Sequence, residues 1–143
     1  MNKRKITIGI IVLIVILLFL LTQCGKKKEI EHNRNYEQEL LQEMKQDEAN
    51  LISLYERSDI CSEEWMEEFK EISLKFQNYS YLGSEEEIMS FLKEYKEYGK
   101  ELYYLVVIID EENYEESIEV LKALQIVAGE NEKELNQLYE KYN

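Results

Sequence analysis

Glu63-Glu64-Trp65-Met66-Glu67-Glu68-Phe69-Lys70-Glu71-Ile72-Ser73-Leu74-Lys75-Phe76-Gln77-Asn78-Tyr79 is the stretch that decides the fold. Trp65, Phe69, Ile72, Phe76 and Tyr79 stand alternately four and three apart, the spacing that lines side chains along one face of an α-helix. So continuous an apolar face has to be buried, and this seam reads as core rather than as a ligand groove. Ser62 is a good N-cap for the helix, with Glu63 and Glu64 in the first turn, where the helix dipole favours negative charge. The other side carries Glu63, Glu64, Glu67, Glu68 and Glu71. Like charges four residues apart repel by a few tenths of a kcal/mol, and Lys70 and Lys75 are the only cations on the helix to offset them. The ordinary reading of this ridge is a solvated face. The functional reading is an acidic surface for a cationic partner.

The same periodicity extends outward in both directions. Upstream, Tyr36, Leu40, Leu41, Met44, Leu51, Ile52 and Tyr55 fall three, four or seven apart and predict a helix from about Ile30 or Tyr36 to Arg57. Gln46, Asp47 and Glu48 interrupt its stripe, which suggests a part protruding beyond the bundle. Downstream, Ser84 and Glu87 form a capping-box pattern ahead of Ile88, Phe91, Leu92, Tyr95, Tyr98, Leu102, Leu105, Val106 and Ile109. Gly99 in that helix costs about 1 kcal/mol and marks either the close approach of a neighbour or a break. Tyr103 to Ile109 is rich in β-branched and aromatic residues, but no second stretch outside the amino-terminal segment could pair with it, so it too reads as helix. Asn113 and Glu116 offer the next cap, before Ile118, Leu121, Leu124, Ile126, Val127 and Ala128. Gly129 reads as a C′ residue, and Asn131 with Glu134 reopens a last helix carrying Leu135, Leu138, Tyr139 and Tyr142. The expected fold is all-α: a small antiparallel bundle of about four to five helices, residues 35–143, behind an amino-terminal hydrophobic segment.

The chain of 143 residues has no proline, five glycines and two cysteines. That is enough for one domain with a modest core. Cys24 and Cys61 cannot make a disulfide framework, and Cys61 is expected to pack in the core. Three of the 17 basic residues and none of the 30 acidic ones precede Cys24, so the part from Cys24 onward carries a charge near −16. Such a polyanion is repelled by nucleic acid. The partner it favours electrostatically is a cationic peptide or protein.

The amino terminus reads as an export address. Lys3-Arg4-Lys5 precedes an apolar run, Ile6 to Leu21, broken only by Thr7 and Gly9 and ending at Leu21-Thr22-Gln23-Cys24-Gly25-Lys26-Lys27-Lys28. At 1.5 Å per residue the run spans roughly 24 Å, short of the roughly 30 Å of a hydrocarbon core. Leu21-Thr22-Gln23-Cys24 resembles the lipobox of bacterial lipoprotein precursors, with Gln23 in the place of the usual small residue. The resemblance covers residues 1–25 and implies cleavage before Cys24 and lipidation of that cysteine. Residues 1–23 are then a signal sequence and 24–34 a polar tether. The alternative keeps 1–23 as an uncleaved anchor, stretched to Cys24 with Lys26 to Lys28 at the headgroups. Either way the acidic domain is expected on the extracytoplasmic face of the cell membrane.

Chemistry is sparse. His32 is the only histidine and lies in the tether, so neither a nucleophile–histidine pair nor a zinc or di-iron site is expected. Asp110-Glu111-Glu112-Asn113 lacks the alternating spacing of a calcium loop. The glycines are too scattered for a phosphate loop. The carboxylates all fall on polar faces, away from the apolar pocket that acid catalysis needs. The expected function is a membrane-anchored, lipoprotein-like helical binding module with no enzymatic activity, cofactor or metal. The alternative is a single-pass structural accessory subunit of a membrane complex.

Overall fold

A computed structural model describes residues 35–109 and 113–143, all-helical apart from turns and without a strand. The signal or anchor segment, the lipobox residues, the tether with His32, and Asp110 to Glu112 lie outside the described residues. Four helices are seen: α1 over 35–55, α2 over Glu63–Asn78, α3 over Glu86–Ile108 and α4 over Tyr114–Tyr142. Glu37–Asn143 forms one compact unit. Among the described residues no helix is long and apolar enough to cross a membrane.

The bundle follows from the aromatic seam of α2. The Ser62 hydroxyl accepts the Trp65 amide at 3.2 Å and starts the helix, and Trp65, Phe69, Ile72 and Phe76 turn inward. Burial of side chains this large stabilises the fold by roughly 1.5–3 kcal/mol each. Trp65 stacks on Phe69 with ring centroids 4.6 Å apart, Phe76 stacks on Tyr95 of α3 at 4.3 Å, and Tyr55 of α1 meets Phe69 edge-on at 5.8 Å. The Trp65 indole donates to the Leu54 carbonyl at 2.8 Å, so α1 and α2 are joined by a buried polar bond as well as by packing. Consecutive helices run antiparallel. Asp47 and Leu54 of α1 meet Lys75 and Trp65 of α2, Gln77 of α2 reaches the Gly99 carbonyl, Glu87 of α3 pairs with Lys141, and Gln38 of α1 reaches the Tyr142 carbonyl.

Several expectations are corrected. No helix breaks at Gly129, and α4 runs unbroken to Tyr142. Leu121, Leu124, Ala128, Leu135 and Leu138 keep one phase across the glycine, and burying that stripe outweighs the glycine's cost of about 1 kcal/mol. The upstream part of that face is narrower than expected, because Ile126 lies on the solvent side at 68% exposure. Ser84 and Glu87 form no capping box: α3 begins one residue later than that pattern implies, and Glu87 is drawn to Lys141 at 2.6 Å. Asn113 is the N-cap residue of α4. Its carboxamide ties back to the Ile108 carbonyl and accepts the Ser117 hydroxyl instead of capping a helix amide. Asp47 and Glu48 do not protrude; both are buried. Cys61 packs against the core as expected but is only half-buried, with its backbone in the left-handed region at φ 67°.

Gly99 marks the close approach of a neighbour. A Cβ there would lie 2.8 Å from Phe76 Cβ and 3.0 Å from the Ser73 carbonyl oxygen, whereas at Gly129 a Cβ meets nothing within 4 Å. Opposite effects follow from the same substitution. Gly129→Ala is expected to stabilise by about 1 kcal/mol through helix propensity. Gly99→Ala is expected to destabilise by about 1–3 kcal/mol, because α2 must move away. Urea unfolding of the two variants beside the wild type checks both signs.

Candidate functional site

The acidic side of α2 is the surface that the sequence singles out. Glu63, Glu64, Glu67 and Glu71 are exposed, and the helix that fixes them is held by the seam on its other face. Glu68 is set apart from them. The Arg57 guanidinium reaches it at 2.7 Å while also holding Asp59 at 2.8 Å, so Glu68 belongs to the joint between α1 and α2. That guanidinium keeps the Asp59 carboxyl below its ordinary range, with burial partly opposing.

The two lysines expected to offset the ridge point elsewhere. Lys75 bridges to Asp47 of α1 at 3.3 Å, and Lys70 lies over the Tyr103 ring of α3, 5.8 Å from its centroid. Among the described residues neither makes an ion pair with Glu63, Glu64, Glu67 or Glu71. The four exposed carboxylates thus stand without an ion pair among the described residues. Glu63 and Glu67 also wall a shallow groove between α2 and α3, with Met66, Lys70 and Val106. Beyond it the last turns of α3 leave Tyr104 and Val107 exposed, at 66% and 60%. The arrangement offers unpaired carboxylates beside apolar surface, with the Lys70 ammonium in the same groove. No group of three or more metal-ligating side chains occurs among the described residues.

The residues that sequence reasoning missed lie on α1. Glu37, Asp47 and Glu48 are all buried, at 6%, 5% and 0% exposure. Glu37 accepts the Tyr81 hydroxyl at 2.6 Å, and Asp47 accepts the Tyr79 hydroxyl at 2.7 Å. Burial, followed by the bond to Asp47, pushes the Tyr79 phenol far above its ordinary pKa, so it stays neutral and donates. Glu48 makes no hydrogen bond of that quality, although the Tyr95 hydroxyl faces it closely enough to favour its charged form. The expectation that every carboxylate falls on a polar face is thus overturned. The signal was present: 37, 40, 41, 44, 47, 48, 51, 54 and 55 keep a spacing of three and four, and all nine are buried.

With a fold and a surface in hand, the class is that of a small helical bundle with an acidic outer face. Comparison with known proteins finds no matching family model, no matching curated protein and no matching solved structure.

Tyr79→Phe leaves a buried carboxylate with a single partner, Lys75, which is itself 58% exposed. It is expected to cost about 2 kcal/mol, the range for a hydrogen bond to a charged group. Tyr142→Phe removes only an exposed bond to Glu85 and should stay within about 0.5 kcal/mol of wild type. Denaturant unfolding of the two variants under one condition checks the contrast.

Proposed function

We propose that this chain is a membrane-anchored, extracytoplasmic binding module, held by a lipid on Cys24 and presenting its acidic helical bundle to a cationic peptide or protein. The observation that carries the anchor is the order Lys3-Arg4-Lys5, apolar run, Leu21-Thr22-Gln23-Cys24, followed by a domain whose charge is near −16. The partner class rests on the four ridge carboxylates, which form no ion pair with a lysine of their own helix. Glu63 and Glu67 give the cationic side of an amphipathic partner its counter-charge, and Met66 and Val106 give its apolar side a surface. The reading assigns no catalytic residue, cofactor or metal, and no nucleic acid.

A second reading, the structural accessory subunit, keeps Ile6 to Leu21 as an uncleaved anchor; the run of Lys26 to Lys28 beyond it favours that version. Labelling cells with a radioactive fatty acid separates the two. Label on the wild type that disappears in Cys24→Ala is the expected result, and an unlabelled wild type hands the chain to the accessory-subunit reading. For the ridge, a fluorescent lysine-rich amphipathic peptide serves as the probe. Its binding to the full chain is expected to weaken with added salt and to fall by about tenfold when Glu63, Glu67 and Glu71 are all changed to glutamine. Unchanged binding in that triple variant removes the ridge from the proposal.

A further inference from the structure

Glu48 lies in the middle of α1 with no exposed surface, and neither of its carboxyl oxygens has a hydrogen-bond partner among the described residues. The other two buried carboxyl groups of the stripe are each served by a tyrosine, and Asp47 by a lysine as well. The groups around Glu48 offer no counter-ion. On its own helix stand Asp47 and Tyr55. From α2 comes Lys75, committed to Asp47, with Tyr79 just beyond the helix end and also bound to Asp47. From α3 come Tyr95, which acts on Glu48 directly, and Tyr98, which donates to the Leu124 carbonyl at 2.9 Å. From α4 comes Glu132, a like charge. The Tyr95 hydroxyl faces Glu48 and the Tyr55 hydroxyl faces Tyr98, both buried and neither in good hydrogen-bond geometry. A carboxylate enclosed in this way carries a desolvation penalty that Tyr95 offsets only in part, whereas the neutral acid is a small polar group that can donate to a hydroxyl.

We propose that Glu48 is a proton-binding site built into the core: the bundle holds it as a carboxylic acid, and loss of the proton loosens α1 from α3 and α4. Burial pushes its pKa from 4.5 up to about 8, with Tyr95 opposing the rise and Glu132 adding to it. The unfolded chain gives up this proton near the ordinary carboxylate value, and the folded chain keeps it to about 8. The stability contributed by the neutral acid is therefore complete below about 4.5 and is lost as the pH rises toward about 8, where the loss levels off. Over that window the folded state binds one proton more than the unfolded state, so the folding equilibrium constant falls by about tenfold per pH unit on this account. The device acts between mildly acidic and neutral conditions, and it acts on the helix that enters the bundle first. It does not depend on what the bundle binds.

The test uses the full chain in detergent micelles. With ¹³C-carboxyl-labelled glutamate, one carboxyl resonance of the folded wild type is expected to titrate near 8 and to be missing from Glu48→Gln. Urea unfolding is then followed by fluorescence of Trp65, the only tryptophan, whose indole is bonded to the Leu54 carbonyl of α1. The wild type should lose stability relative to Glu48→Gln steadily from about pH 5 to about pH 8, and Glu48→Leu should remove the same loss. Parallel pH profiles for the wild type and either variant overturn the proposal. So does a folded wild type in which every glutamate titrates in the ordinary range, a result that stands even where neither variant folds.

Discussion

The contact between Phe76 and Tyr95, stacked with centroids 4.3 Å apart, sets how near α2 and α3 can come, and much of the bundle is arranged to permit it. Rings that close need backbones that are close. Gly99 supplies the room, one turn beyond Tyr95, where any side chain would strike Phe76 Cβ or the Ser73 carbonyl. Gln77 then spans the junction, donating to the carbonyls of both Ser73 and Gly99. At the other end of α2 the contact with α1 is made by Tyr55 edge-on to Phe69 and by the Trp65 indole, which is bonded to the Leu54 carbonyl rather than left unpaired. The acidic outer face of α2 is positioned by an inner face that is fixed in this way.

Much of this was legible in the residues. Every member of the seam from Trp65 to Tyr79 is buried, because an aromatic stripe at helical spacing has few other fates. Tyr103 to Ile108 is helical despite its β-branched content, since a strand needs a partner. What failed was reasoning from residue type where phase decides. Asp47 and Glu48 look like solvent residues, yet they occupy the places between Met44 and Leu51 that the stripe requires to face inward. Gly129 looks like a helix end, yet the apolar residues before and after it share one line. Two local cap patterns lost to other partners: Glu87 serves Lys141 across the bundle, and Asn113 serves the Ile108 carbonyl five residues back. Which lysine would neutralise the ridge was not readable either, because Lys70 and Lys75 found better partners on other helices.

The buried carboxyl groups of α1 form a graded series on one helix. Glu37 and Asp47 show how a bundle can accept an acidic residue in the core by bringing a phenol to it. Glu48 shows the same position in the stripe without that provision, beside tyrosines whose own hydroxyls are buried without good hydrogen-bond geometry. Replacing such a group with leucine would suit packing alone. Its presence makes the core of this domain less stable than its apolar content allows, and makes that deficit depend on a proton.

The start of α1 and the end of α4 lie at the same end of the bundle, joined where Gln38 meets Tyr142. The joint of Arg57, Asp59 and Glu68, beside Glu63 and Glu64, lies at the other end. A mechanical load therefore has two distinct outcomes. Tension between the point where the chain enters and its carboxyl terminus would peel α1 from α4, breaking contacts one after another from Gln38 onward. Tension between that entry point and the ridge near Glu63 would run along the helix axes, in shear, and would load Asp47, Leu54 and their partners on α2 together. Loaded between its opposite ends, the bundle resists along its stronger direction.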